Sequence, residues 1–193
     1  MRVATSVEIV FPPVDVERFQ FDQPIGDYFL VVSRLNSYKR IDLAVAACTA
    51  LGLPLVVVGD GPERAGLAKI AGPTVRFAGR LPDAEVTGLF EQCRAFILPG
   101  KEDFGLTPLE ANAAGRPVVA FAAGGALDTV RNGETGVLFR EPTVVSLRGA
   151  LAAVASCDWD SALLRRHAEA FSEAVFVRRF RRAIDDAVKD TQH

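Results

Sequence analysis

Leu98-Pro99-Gly100-Lys101-Glu102-Asp103-Phe104-Gly105-Leu106-Thr107-Pro108-Leu109-Glu110 joins the end of an apolar run to the start of a helix, and the rest of the chain is organised around it. Thr107 suits an N-cap, Pro108 the first helical position, and Glu110 the place from which a capping-box glutamate reaches back. The first-turn N–H groups of such a helix point out of its end. Unpaired donors and the helix dipole favour an anion there, and Gly105 lets a phosphate approach the backbone. Two carboxylates, Glu102 and Glu110, flank the Phe-Gly-Leu turn. A glutamate beside a phosphate is repulsive unless it is aimed at hydroxyls, which a sugar and a ribose supply. The same residues fit a plain helix cap and a solvated loop acid, and this segment alone leaves both readings open.

Outward from this stretch, short apolar runs at 28–33, 55–58, 75–78, 95–98, 118–121 and 136–139 read as strands. Between them lie helical patterns: an Ala-rich one over 41–51, one through Leu67 and Ile70, and one with Val86, Leu89, Phe90 and Cys93 on a single face. A further helix runs from Pro108 to near Gly115, and a short one surrounds Asp128. Strands alternating with helices of about ten residues predict βαβ units. The expected fold is α/β: a single Rossmann-like, doubly wound parallel sheet of about six strands, with C-terminal helices. Ligands of such folds bind beyond the carboxyl ends of the strands. The Arg34 loop, the Gly59 turn and the Glu102 loop all follow strands, so all three are expected to line one crevice.

Residues 7–21 begin like a short strand and break at Pro12-Pro13, so 1–24 reads as a linker and 25–193 as the domain. After Pro142 the pattern is helical, with Val144, Leu147, Leu151 and Val154 on one face and Val177, Phe180, Ile184 and Val188 on another. The second helix carries Arg178, Arg179, Arg181 and Arg182, with Arg165 and Arg166 nearby. The plain reading of such a run is a solvated face, and contact with an acidic membrane surface is the alternative.

A net charge of -2 and a pI near 5.7 argue against a nucleic-acid-binding surface, which calls for a basic excess. No apolar run approaches the roughly 18–20 residues of a membrane-spanning helix, and the N-terminus lacks a signal-peptide core, so a cytoplasmic protein is expected. Under the membrane-contact reading it would sit at the inner face of the membrane. Cys48, Cys93 and Cys157 are widely spaced, odd in number and set in helical patterns, and are expected to be reduced core residues. His167 and His193 are the only histidines, which excludes a histidine metal cluster.

Several blocks in a fixed order resemble the C-terminal, donor-binding domain of family-4 glycosyltransferases, one half of a GT-B fold. They are Val-Ser-Arg-Leu-Asn-Ser-Tyr-Lys-Arg-Ile-Asp at 32–42, Val-Val-Val-Gly-Asp-Gly-Pro-Glu at 56–63 and Val-Arg-Phe-Ala-Gly-Arg-Leu at 75–81. The Glu-x7-Glu pair Glu102 and Glu110, Ala-Gly-Arg-Pro-Val-Val-Ala at 114–120, Gly124-Gly125 and Gly-Glu-Thr-Gly-Val-Leu-Phe at 133–139 complete the set. The resemblance covers about residues 7 to 190. It implies that Arg34 and Lys39 hold a donor diphosphate, that Glu102 binds and orients the transferred sugar without being a nucleophile, and that Glu110 grips the ribose hydroxyls. The backbone of Phe104, Gly105, Leu106 and Thr107 would meet sugar and phosphate, the Gly59 turn would border the donor, and Arg80 and Leu81 would lie against the base. Retention of anomeric configuration is implied, with no metal and no cofactor, because cationic side chains take the metal's place.

Pro-Pro-Val-Asp at 12–15 and the 33–42 block are similar to bacterial mannosyltransferases of surface-polysaccharide synthesis, which implies GDP-mannose as donor, with a UDP-sugar as the alternative. Gly100 departs from a small hydroxyl residue common at its position, and Asp128 from a glutamate. A GT-B enzyme needs two domains facing one cleft, so the N-terminal acceptor domain, or a separate subunit in its place, is an expected partner. The Pro12-Pro13 segment would be the interdomain linker and the last helix would pack back across the cleft. Donor binding without appreciable transfer is expected of the single chain, the alternative being a non-catalytic nucleotide-sugar-binding module. A dinucleotide fingerprint is not formed, since the glycine after Gly59 and Gly61 is Gly66, and no P-loop motif is present.

Overall fold

Short, mostly apolar runs need cover on both faces, and six of them become one parallel sheet. The strands are β1 (Phe29–Val32), β2 (Leu55–Val58), β3 (Val75–Gly79), β4 (Ala95–Leu98), β5 (Val118–Phe121) and β6 (Gly136–Phe139). The helices are α1 (Ile41–Leu51), α2 (Arg64–Ile70), α3 (Asp83–Gln92), α4 (Leu106–Ala113), α5 (Ala126–Thr129), α6 (Val144–Ser156), α7 (Ser161–Glu169) and α8 (Glu173–Asp190). The structure, a computed structural model, describes residues 9–190. Val7 and Glu8 of the expected first strand, and His193, lie outside the described residues.

The strand order is β3-β2-β1-β4-β5-β6, all parallel, as expected for a doubly wound Rossmann-like sheet. The chain adds β2 and β3 on one side of β1, then returns to place β4 on the other. β1 pairs with β2 along its length, from Phe29–Leu55 to Val32–Val58. Against β4 it pairs only at Phe29–Ala95 and Leu30–Phe96. The carboxyl halves of β1 and β4 are therefore unpaired with each other where the strand order reverses.

Side chains alternate between two cores, as the two-residue period of a strand requires. Phe29, Val31, Leu55, Val57, Ile97 and Val119 face α1 and α6, whereas Leu30, Val56, Phe96, Leu98, Val118 and Ala120 face α3, α4 and α7. The expected face of α6 is in place, with Leu147, Leu151 and Val154 buried.

No strand forms over residues 9–13, because Pro12 and Pro13 have no N–H to give to a ladder. The first β contact is an isolated bridge between Val14 and Ser172. Val14, Val16 and Phe19 then enter the second core, so this part of the expected linker is packed into the domain.

Two arginines hold that segment. Arg116 is 1% exposed, and its guanidinium donates to the carbonyl oxygens of Glu91 (2.8 Å) and Gln23. Arg165, grouped by the sequence with a basic surface, is instead 8% exposed. It donates to the Val16 and Phe19 carbonyls at 2.6 and 2.8 Å and pairs with Glu17 and Glu169, both at 3.2 Å. The two arginines answer carbonyl groups that would otherwise be buried unpaired.

Cys48 and Cys93 are buried as expected, and burial pushes both thiols up to about 12. Cys157 corrects the expectation: it follows the last residue of α6, where the chain turns outward, and is exposed. Nearby Trp159 is half-buried against the first core, and its Nε1 donates to the Val154 carbonyl at 2.9 Å. Trp159 lines a cavity of about 480 Å³ with Gly26, Asp27, Arg94 and Pro117, residues that precede β1, β4 and β5. This cavity therefore lies at the amino edge of the sheet.

In α8 the predicted apolar face forms, yet Phe180, Ile184 and Val188 are 48%, 48% and 51% exposed. Its four arginines cluster at 178–182 and are followed by Asp185 and Asp186, and Asp186 lies 3.7 Å from Arg182 and 3.8 Å from Lys189. Among the described residues no helix is long and apolar enough to cross a membrane.

Replacing Arg116 by alanine leaves buried carbonyls without donors, and is expected to cost about 3 kcal/mol of unfolding free energy. Urea denaturation measures this. A change within about 0.5 kcal/mol, as for an ordinary surface site, would show that the guanidinium does not hold the segment.

Candidate functional site

Loops after parallel strands open at one edge of the sheet, and here those after β1 and β2 are laced together, as are those after β4 and β5. Ser33 N–H donates to the Val58 carbonyl, Leu35 N–H to Asp60 and Glu63 N–H to Leu35, each at 3.0 Å. The Gly59 amide donates to Gly79 at 2.7 Å, which extends the lacing to the end of β3. On the other side, Gly125 N–H donates to the Glu102 carbonyl at 2.8 Å, and Glu102 and Gly124 form an isolated bridge. The Gly59 turn is bonded to the loop after β1 through Leu35 and Asp60, and that loop meets the one after β4 in a crevice at the strand-order reversal.

Lys39 and Glu102, 63 residues apart, meet in it: the Lys39 ammonium pairs with Glu102 Oε1, and their side chains are 17% and 20% exposed. Lys39 also lies over the Tyr38 ring at 4.9 Å from its centroid. Arg34 is exposed, and its guanidinium makes no ion pair among the described residues. A second cavity of about 300 Å³ lies on the Asn36–Asp42 flank of the loop, but Asp42 and Glu63 line it beside Arg40. An anion is better served on the Lys39 side.

The start of α4 differs from expectation. Gly105 is the N-cap, at φ 82°, and no side chain caps the helix. That left-handed backbone is cheap for glycine alone, so the helix begins at Leu106, two residues before Pro108. Thr107 and Pro108 fall inside the first turn, where the missing proline N–H costs nothing. Glu110 is then the fifth helical residue and caps nothing. The N–H groups of Leu106 and Thr107 remain as first-turn donors at the helix end. The Phe104 ring points away from this end, stacked on Phe11 (centroids 5.0 Å apart) and tilted against Phe171 at 6.2 Å.

Glu110 is set apart from the Lys39–Glu102 pair. Its carboxyl makes no hydrogen bond among the described residues, and burial raises its pKa above the ordinary carboxylate range. The Arg18 charge partly opposes this rise and the Asp83 charge adds to it. Asp83 opens α3, two residues after Leu81, so the Arg80–Leu81 segment ends beside Glu110. Leu81 is half-buried against the second core, and Arg80 is exposed. Arg18 is the functional candidate that sequence reading missed: its guanidinium donates to Thr87 Oγ1 at 2.6 Å and to the Asp83 carbonyl at 2.8 Å. An arginine in a linker-like segment gives no signal of this, because the segment's packing into the core is what brings it there.

Taken together, the crevice offers cations and first-turn helix N–H groups that suit an anion, and carboxylates that suit hydroxyl donors. Among the described residues no three His, Cys, Asp or Glu side chains converge as a metal site would require.

Comparison with known proteins gives the chain a setting. The profile of the family described as glycosyl transferases group 1 matches residues 15–174. A D-inositol 3-phosphate glycosyltransferase from Frankia alni is 34% identical over 164 residues, covering 68% of this chain and 40% of its own. A GDP-mannose-dependent alpha-(1-6)-phosphatidylinositol monomannoside mannosyltransferase from Mycobacterium tuberculosis is 32% identical over 165 residues, covering 70% and 43%. Among solved structures, the lipopolysaccharide outer core galactosyltransferase WaaB superposes with a TM-score of 0.79 at 21% identity, over 93% of this chain and 56% of its own. That likeness shows the fold, a half of the GT-B architecture. The chain spans less than half the length of the curated relatives it matches.

A raised folded-state pKa means that Glu110 adds stability below its unfolded value near 4.5 and loses it as pH rises through the folded value. Glu110→Gln is therefore expected to raise the thermal midpoint by a few degrees near pH 7 and to leave it unchanged near pH 4. A lowered midpoint at pH 7 would show that the ionised carboxylate is compensated in the fold.

Proposed function

Because this chain belongs to the glycosyl transferases group 1 family, we propose that it is the donor-binding half of a retaining hexosyltransferase, taking a nucleoside-diphosphate sugar. The observation that carries this reading is the meeting of Lys39, Glu102 and the amino end of α4 where the strand order reverses. Arg34 and Lys39 take up the charge that develops on the diphosphate as the glycosidic bond breaks. Glu102 binds and orients the sugar, and the departing phosphate takes the acceptor's proton. Glu110, whose burial favours exchange of water for hydroxyl partners, holds the ribose, and Arg80 and Leu81 border the base. Two cations beside a helix end leave no role for a metal ion.

GDP-mannose is the donor we favour, on the strength of the GDP-mannose-dependent relative and of the Pro-Pro-Val-Asp lead-in, with a UDP-sugar as the alternative. Transfer needs an acceptor-binding half, on the same polypeptide or on another. We assign the exposed Phe180, Ile184 and Val188 face of α8 to contact with that half and not to a membrane, because Asp185 and Asp186 share the helix and Asp186 pairs with Arg182 and Lys189.

Calorimetric titration with GDP, UDP and ADP, then with the sugar nucleotide of the best base, tests the reading. Binding of GDP and GDP-mannose is expected, unaffected by a chelator and weakened about tenfold or more by Lys39→Ala and by Glu110→Ala, each of which removes a charged partner. Failure of all three nucleotides to bind would overturn the proposal, and selective UDP binding would replace the donor.

A further inference from the structure

The loop after β1 packs closely on Gly100, which follows the end of β4 and Pro99. A Cβ at Gly100 would lie 2.6 Å from the Lys39 carbonyl oxygen and 2.8 Å from that of Tyr38. Both are backbone atoms, which cannot swing aside as the tip of a side chain can. Any residue with a Cβ, a small hydroxyl residue included, would therefore lift the 3-10 turn Ser37–Lys39 off the strand end. With glycine there, the turn settles against β4 and Lys39 reaches Glu102. The turn's exit is conformationally costly. Arg40 lies at φ 51°, ψ 37°, in the left-handed region, steadied by its two hydrogen bonds to Asp42 at 3.1 Å.

Resting on the donor-site reading above, we propose that Gly100 is a positioning residue that holds Lys39 on Glu102, and that an intact sugar nucleotide binds by exchanging this pair. Lys39 passes to the diphosphate and Glu102 passes to the sugar hydroxyls. A nucleoside diphosphate without its sugar takes Lys39 but gives Glu102 nothing. It leaves a carboxylate, four-fifths buried, without its cation. Stranding a partly buried charge is unfavourable, whereas exchanging one partner for another is nearly neutral. The site therefore discriminates between the donor and the diphosphate that transfer leaves behind. The same exchange assists release of that by-product, because loss of the sugar returns Glu102 to Lys39.

The test compares GDP with GDP-mannose, and UDP with UDP-glucose, on the unaltered chain, Glu102→Gln and Gly100→Ser by calorimetry. Glu102→Gln frees Lys39 and is expected to tighten the nucleoside diphosphate about five- to tenfold, the scale of a partly buried pair. The sugar nucleotide should gain nothing, so the preference for intact donor collapses. Gly100→Ser should shift the preference in the same direction with Glu102 still present. A preference unchanged in both variants, or weaker diphosphate binding in Glu102→Gln, would overturn the exchange.

A separate readout needs no nucleotide. Hydrogen exchange of the Lys39 and Arg40 amides, which bond to Asn36 and Ser37, should accelerate in Gly100→Ser more than that of the β5 and β6 amides, which report global stability. Unaltered exchange would overturn the positioning role of Gly100. Absence of nucleotide binding by the unaltered chain, with accelerated exchange in the variant, would fail the donor-site reading alone.

Discussion

Parallel strands cannot be joined by a tight turn, and the rest of this structure depends on that constraint. Each strand must be followed by a crossover that returns the chain to the starting edge, so every loop that leaves a strand opens at the same edge. The reversal between β1 and β4 then puts the Lys39 turn and the Glu102 loop side by side, although 63 residues separate them. Pairing of β1 with β4 stops at Leu30–Phe96, so the two carboxyl ends are free to carry different loops at short range. The crevice is a product of topology before any functional side chain enters it.

Charge is handled in two ways within one small domain. Arg116 and Arg165 are buried and spend their N–H groups mostly on backbone carbonyls, fixing the segment that leads into β1. Lys39, Glu102 and Glu110 are only partly buried, and the first two satisfy each other while the third has no hydrogen-bonding partner among the described residues. Groups of the first kind are fully answered by the fold. Those of the second kind hold interactions that a ligand can take over, and this difference separates scaffold from site more sharply than residue type does.

Much of this was legible in the sequence. Ala95–Leu98, Val118–Phe121 and Gly136–Phe139 form strands where they were expected, because a four-residue apolar run between turn residues has few ways to be buried other than a central strand. The Ala-rich α1 was equally plain. What could not be read depends on tertiary contact. Thr107 and Pro108 carry the chemistry of a helix start, yet Gly105 starts the helix earlier, since its left-handed backbone is set by the loop's path past Gly124 and Gly125. Arg165 counts as surface by composition and becomes core because it gathers carbonyls from distant segments. Lys39 and Glu102 were each named for a separate part of a donor, and nothing in their spacing showed that they would face one another.

The tryptophan at the amino edge has a further consequence. Trp159 is the only one in the chain and stands next to core residues at the end of the sheet opposite the crevice. Its indole is tied to the Val154 carbonyl and packed on the first core, so its emission follows the integrity of that core. Cys157, two residues away, is the exposed thiol among three, and the other two are held in the interior with their protons. A dye placed there would stay within about 7 Å of the indole in the folded and the extended chain alike and quench it in both states, so the unlabelled tryptophan is the gauge of unfolding.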